Sequence, residues 1–161
     1  MLILNCGGTF NKQYNPITGN LDVAFDNKAV EKILESSTQK YSLAGIIYKD
    51  SLDMDAEDRK MIANIIKEST EKKFLIVHGT DTMDLTAEFL SEIFSDKSIV
   101  LTGAMRPFSI DPIEASFNLG MAIGFLNNSD ESGVFLCMSG YVRAVGQIEK
   151  NRDLGRFEVV K

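Results

Sequence analysis

The sequence predicts an α/β fold: three αβα layers about a mostly parallel, Rossmann-like sheet, with a flap hairpin near the N-terminus. Three observations predict it. Short apolar runs recur at residues 2–5, 43–48, 74–77, 98–102 and 133–138, each of strand length and too short for a buried helix. Segments with apolar residues at helical spacing alternate with them, which is the βαβ pattern that builds a parallel sheet. The runs end in Gly, Thr, Ser or Asp, the residues that gather at the carboxyl edge of such a sheet, where ligands bind.

The first run leads into Cys6-Gly7-Gly8-Thr9-Phe10. Consecutive glycines let the backbone turn sharply or approach a ligand closely, and they present the Thr9 hydroxyl at the sheet edge. This is neither a GxGxxG nor a P-loop, so nucleotide binding has little support. Residues 11–19, with Tyr14, Pro16 and Gly19, read as a loop or small hairpin. Asp26 or Asn27 then caps a helix whose inner face is Ala29, Val30, Ile33 and Leu34.

The second run, 43–48, ends in the polar cluster Lys49-Asp50-Ser51-Leu52-Asp53, and a helix from about Asp55 turns Met61, Ile62, Ile65 and Ile66 inward. Residues 74–77 run directly into His78-Gly79-Thr80-Asp81-Thr82, and Met83, Leu85, Phe89, Leu90, Ile93 and Phe94 follow at helical spacing. Two readings of Thr80 and Asp81 stay open. They are ordinary N-cap residues, and they are also a hydroxyl and a carboxylate held at a strand end beside a helix N-terminus.

The run 98–102 ends in Gly103-Ala104-Met105-Arg106-Pro107, with Arg106 expected to hold its loop by ion pairing. Asp111, Pro112 and Glu114 form a capping signal for a helix to about Leu126. Its Ala115, Gly120, Ala122 and Gly124 permit close packing on the sheet or on another subunit. After the run 133–138, residues 140–147 alternate enough for a strand or hairpin, and the tail Glu149-Lys150-Asn151-Arg152 reads by default as solvated charge.

Composition bounds the function. The 161 residues, 44% hydrophobic, suffice for one compact domain. Against 23 acidic residues there are 17 basic ones, a net charge of -6, which argues against a nucleic-acid partner. No stretch approaches membrane-spanning length and no leader pattern opens the chain, so a soluble, cytoplasmic protein with no membrane partner is expected. The two cysteines, Cys6 and Cys137, read as reduced thiols within strands; with a single histidine they form neither a disulfide framework nor a metal site. No metal or cofactor is expected, and His78 reads as a strand-end packing residue.

Taken together, Cys6-Gly7-Gly8-Thr9-Phe10, His78-Gly79-Thr80-Asp81-Thr82-Met83 and Thr102-Gly103-Ala104-Met105-Arg106-Pro107 resemble, in that order, the landmarks of the bacterial-type L-asparaginase family. Tyr14-Asn15-Pro16-Ile17-Thr18-Gly19 is similar to the family's active-site flap, Ser51-Leu52-Asp53-Met54 to its substrate-carboxylate loop, and Phe117-Asn118-Leu119 to its helix after the third landmark. The resemblance runs to about Phe157. It implies the family's N-terminal α/β domain over 1–161, without the smaller C-terminal domain whose polar groups, from a partner subunit, close the site.

The resemblance also implies roles. Thr9 is the nucleophile on a side-chain amide, Tyr14 assists proton transfer, and Thr80, Asp81 and Lys150 form a hydroxyl-carboxylate-amine group. Ser51 and Asp81 hold the substrate's α-carboxylate and α-ammonium, with Asp53, Gly79 and Ala104 beside them, and the Gly8 and Thr80 region supplies N–H groups to the oxyanion. Leu52 stands where a polar residue is common, and Phe10 and Lys12 alter the flap. A threonine hydroxyl needs such an activating group, and acyl transfer needs preorganised N–H donors. The implied function is hydrolysis of L-asparagine or a related small amide to aspartate and ammonia, in a homodimer or higher homo-oligomer. Its alternative is a single-domain binding module, or one subunit of a two-chain enzyme.

Overall fold

The computed structural model describes residues 1–160. In chain order they form β1 (Leu2–Gly7), β2 (Lys12–Tyr14), β3 (Leu21–Val23), α1 (Lys28–Leu34), β4 (Ser42–Lys49), α2 (Ala56–Glu68), β5 (Lys73–Val77) and α3 (Met83–Ile93). There follow β6 (Ser98–Thr102), α4 (Pro112–Asn128), β7 (Gly133–Met138), β8 (Tyr141–Ala144), β9 (Ile148–Asn151) and β10 (Arg156–Val159). The main sheet has the order β4-β1-β5-β6-β7-β8. Its pairings are parallel except that of β7 with β8. The expected α/β architecture is therefore present, with β2 and β3 forming the separate N-terminal hairpin. Among the described residues no helix is long and apolar enough to cross a membrane.

Alternation along each central strand divides the core into two layers. Phe74 and Ile76 of β5, Ile99 and Leu101 of β6, and Val134, Leu136 and Met138 of β7 pack with Ile62 and Ile66 of α2 and Leu90 of α3. Leu75 and Val77, Val100, and Phe135 and Cys137 face the other way, onto Ala29 and Val30 of α1 and Ala115, Leu119 and Ala122 of α4. Burying each large side chain removes apolar area worth roughly 1.5–3 kcal/mol. Both thiols, of Cys6 and Cys137, are free and buried. Burial pushes the Cys137 thiol up to about 12, and it pushes Cys6 up as well, so both are inert packing groups.

Strand order fixes where a ligand can sit. β1 leads through α1 to β4 on one side, whereas β5 leads through α3 to β6 on the other, although β1 and β5 pair directly with Asn5 opposite Val77. Loops leaving adjacent strands in opposite directions open a crevice at their carboxyl ends. The loop after β1 carries Thr9 and the loop after β5 carries Thr80.

Helical faces depart from expectation in three places. Met61 is 46% exposed, because α2 turns Ile62, Ala63 and Ile66 inward and leaves Met61 on its flank. In α3, Leu85 and Ile93 are exposed while Thr86 is fully buried; spacing read only from apolar residues misses a polar inward position. In α4, Gly120 and Gly124 have open space over the position of a Cβ, so their smallness serves no packing within the chain. Asp111 accepts from the Ile113 N–H as the helix cap. Glu114 does not complete a capping box; its carboxylate accepts instead from the N–H groups of Met105 and Arg106.

Candidate active site

Glycines bring the strand-end loops into contact. Gly8, at φ 73 and ψ −171, lies so close that an added Cβ would collide with the Gly79 Cα. A Cβ on Gly79 would come within 2.6 Å of the Ser51 side chain, and one on Gly103 within 2.5 Å of the His78 carbonyl oxygen. Thr9, half-buried, follows Gly8 and opens a 3-10 turn, Thr9–Asn11. That turn is pinned by the fully buried Phe10 and by Asn11, whose Nδ2 donates to the carbonyls of Ala24 (2.6 Å) and Asp26 (2.9 Å). Within the Gly8 and Thr80 region expected to supply oxyanion donors, the Gly8 N–H itself is bonded to the Lys49 carbonyl at 2.9 Å.

The two readings of Thr80 and Asp81 separate here. α3 begins at Met83 with Thr82 in the N-cap position and no side-chain cap bond, so neither residue caps the helix. Lys150 instead donates from Nζ to Thr80 Oγ1 and to Asp81 Oδ1, both at 2.9 Å. Its side chain is only 15% exposed. The β9–β10 hairpin sets this lysine over the β5 loop, held by Ile148 and Phe157 in the core, with Phe157 opposite Lys150 in the register.

A further cation, absent from the expected set, completes the group. Arg152 donates from Nη1 to Asp81 Oδ1 (2.5 Å) and from Nη2 to the Asp81 carbonyl (3.1 Å). Asn151 fixes the turn that carries it, its Oδ1 accepting from the N–H groups of Asp153 and Leu154. Partial burial raises the Asp81 carboxyl, but the hydrogen bonds and charges of Lys150 and Arg152 outweigh it and hold the group below the usual carboxylate range. Arg152 lies in the turn beyond the end of β9, where no strand periodicity reaches, so the sequence carried no signal for it.

The remaining candidates lie at varied distances from this group. Ser51 is buried, and its Oγ accepts from the Asp81 N–H at 3.2 Å while its carbonyl accepts from Thr82 Oγ1 at 2.8 Å; in this state it braces the β5 loop. Asp53 is exposed and lines a cleft of about 350 Å³ with Leu21, Asp22 and Phe25 of the hairpin region. Tyr14, at 63% exposure, stands in solvent on β2. The Ala104 side chain is buried in the core with Phe10 and Ala115, leaving only backbone to face the site. Arg106 does ion-pair, with Asp111 at 3.0 Å.

His78 is the packing residue expected. It is fully buried, with Nδ1 2.8 Å from the Gly79 carbonyl and Nε2 3.0 Å from Thr86 Oγ1. A carbonyl only accepts, so Nδ1 carries the proton and Thr86 donates to Nε2. Burial above all pushes its pKa down to about 4, the Arg59 charge adding to the effect.

Residues 1–156 match the family model described as asparaginase, N-terminal. The chain is 26% identical to a glutaminase-asparaginase of Acinetobacter glutaminasificans over 166 residues, covering 96% of this chain and 50% of that protein. It is 31% identical over 147 residues to a glutamyl-tRNA(Gln) amidotransferase subunit of Methanococcus maripaludis, covering 86% of this chain and 34% of the other. Among solved structures it superposes on a probable cytoplasmic L-asparaginase of Campylobacter jejuni with TM-score 0.78 and 30% identity, over 98% of this chain and 52% of that one. The thermostable L-asparaginase of Thermococcus kodakarensis gives TM-score 0.84 at 23% identity, over 99% and 50%. The chain thus spans about half the length of the asparaginases it matches.

Proposed function

We propose, on the premise that the chain belongs to the asparaginase family, that it hydrolyses the side-chain amide of L-asparagine or a related small amide through a threonine nucleophile. One observation carries the reading. Lys150, 70 residues away in sequence, is drawn out of solvent onto Thr80 and Asp81 at the crevice that also receives Thr9. Packing alone gives no reason to bury an amine on a hydroxyl there.

In this reading Thr9 Oγ1 attacks the amide carbon and the amide nitrogen leaves as ammonia. Water then releases the acid from the Thr9 ester. The Thr80-Asp81-Lys150 group relays protons, and Tyr14 joins once the hairpin folds down. N–H groups around Thr9 and Thr80, in place of that of Gly8, receive the oxyanion. Ser51 takes the α-carboxylate by exchanging its present bond, with Asp53 and the Gly79 and Ala104 backbone beside it, and Asp81 lines the position next to the carbon that bears an α-ammonium in free amino acids. A homo-oligomer in the cytoplasm is the proposed setting, with Cys6 and Cys137 kept reduced.

Ammonia release from millimolar L-asparagine tests this, with Thr9→Ala and Lys150→Met alongside. Turnover lost in both variants is expected; turnover surviving in Thr9→Ala would refute the assignment. The second reading, one subunit of a two-chain amidase or amidotransferase, is favoured by the similarity to a subunit of glutamyl-tRNA(Gln) amidotransferase and by the solvent-exposed Tyr14. It predicts that turnover appears only when a partner chain is added.

A further inference from the structure

The Asp81 carboxylate is answered twice. Lys150 reaches its Oδ1 from the side of Thr80, and Arg152 reaches the same oxygen from the solvent side while also holding the Asp81 backbone. The arginine side chain is 64% exposed and the Asp81 side chain 25%, so Arg152 covers Asp81 on its solvent side. The turn fixed by Asn151 holds it in that position. Lys150 and Arg152 thus both donate to one carboxylate oxygen at this end of the crevice. An ammonium arriving there meets both Lys150 and Arg152, whereas a carboxylate meets an exposed guanidinium suited to it.

We infer that Arg152 is a specificity-determining residue, which turns the site toward ω-amides bearing a carboxylate but no α-ammonium and away from free α-amino acids. The inference rests on the amide-hydrolase reading and names the substrate class within it. It differs from the expectation that Asp81 stands ready for an α-ammonium, because the charge of Asp81 is already neutralised from the mouth of the site. Chemistry at the amide carbon is unchanged; only the group remote from it is selected.

Two ligands differing only in that group decide the matter: L-asparagine and succinamate, its analogue without the amino group. Their dissociation constants are measured by calorimetry on the wild type, Arg152→Ala and Arg143→Ala, the last an exposed arginine on β8 that controls for overall charge. Ammonia release is followed in parallel. Wild type should bind and turn over succinamate better than asparagine. Arg152→Ala should shift the ratio of the two constants toward asparagine by roughly fivefold, the scale of one partly exposed charge interaction, and Arg143→Ala should leave the ratio alone. A ratio unmoved by Arg152→Ala, with binding intact, would overturn the inference while leaving the amide-hydrolase reading in place. Failure of the folded wild type to bind or hydrolyse either amide would overturn both.

Discussion

His78, the sole histidine, makes stability report directly on one buried ring. Its pKa falls from 6.5 to about 4 in the folded chain. The unfolded chain therefore binds the extra proton between those values and the folded chain does not. Stability is full above about pH 6.5 and is lost as pH falls toward 4. The slope approaches 1.36 kcal/mol per pH unit within that window. From pH 7 to pH 5 the two pKa values give a loss of roughly 2 kcal/mol. Urea unfolding at several pH values measures it, with His78→Gln as the non-titrating reference. Carboxylates contribute equally to both proteins, so the difference between the two pH dependences isolates the ring. Superimposable dependences between pH 7 and pH 5 would refute the argument that burial keeps His78 neutral.

Gly8→Ala should destabilise by at least about 2 kcal/mol, since its backbone lies in a region essentially reserved for glycine and the new methyl meets the Gly79 Cα; thermal melting reads the loss, and an unchanged midpoint would contradict it. Ser98 Oγ is buried without a hydrogen-bond partner among the described residues, so Ser98→Ala should hold or raise stability, by up to about 1 kcal/mol and a few degrees in melting temperature. Lys150→Met should lower amide turnover roughly 10²–10⁴-fold, the range for a lost proton-transfer group. The same change should cost only about 1–2 kcal/mol of stability, because Arg152 still pairs with Asp81, and paired kinetic and melting data separate the two effects.

The layers of the fold were legible because strand runs and helical stripes are local patterns. Every central strand of the parallel sheet stands where its apolar run placed it, and the strand-end glycines announced the close approach of loops that Gly8, Gly79 and Gly103 make. Thr86 was not legible, because a buried threonine is recognisable only from its partner His78, which lies across the β5–α3 turn. Lys150 illustrates the same limit more sharply. Charge in a short tail looks solvated by local pattern, and only the resemblance set Lys150 beside Thr80 and Asp81; the β9–β10 hairpin, anchored by Ile148 and Phe157, is what carries it there. Arg152 stands in the turn between β9 and β10, fixed by the Asn151 side chain, and no local pattern announces it. Ser51 carries the converse lesson: resemblance marked it for a ligand, and in the folded chain its hydroxyl braces Asp81.

Acid quenching during turnover of L-asparagine or succinamate, followed by peptide mass spectrometry, bears most directly on the central claim. An acyl ester on the peptide containing Thr9, absent from Thr9→Ala, is the predicted result. An ester on Thr80 instead, or turnover with no adduct on Thr9 at any quench time, would contradict the assignment of Thr9 as the nucleophile.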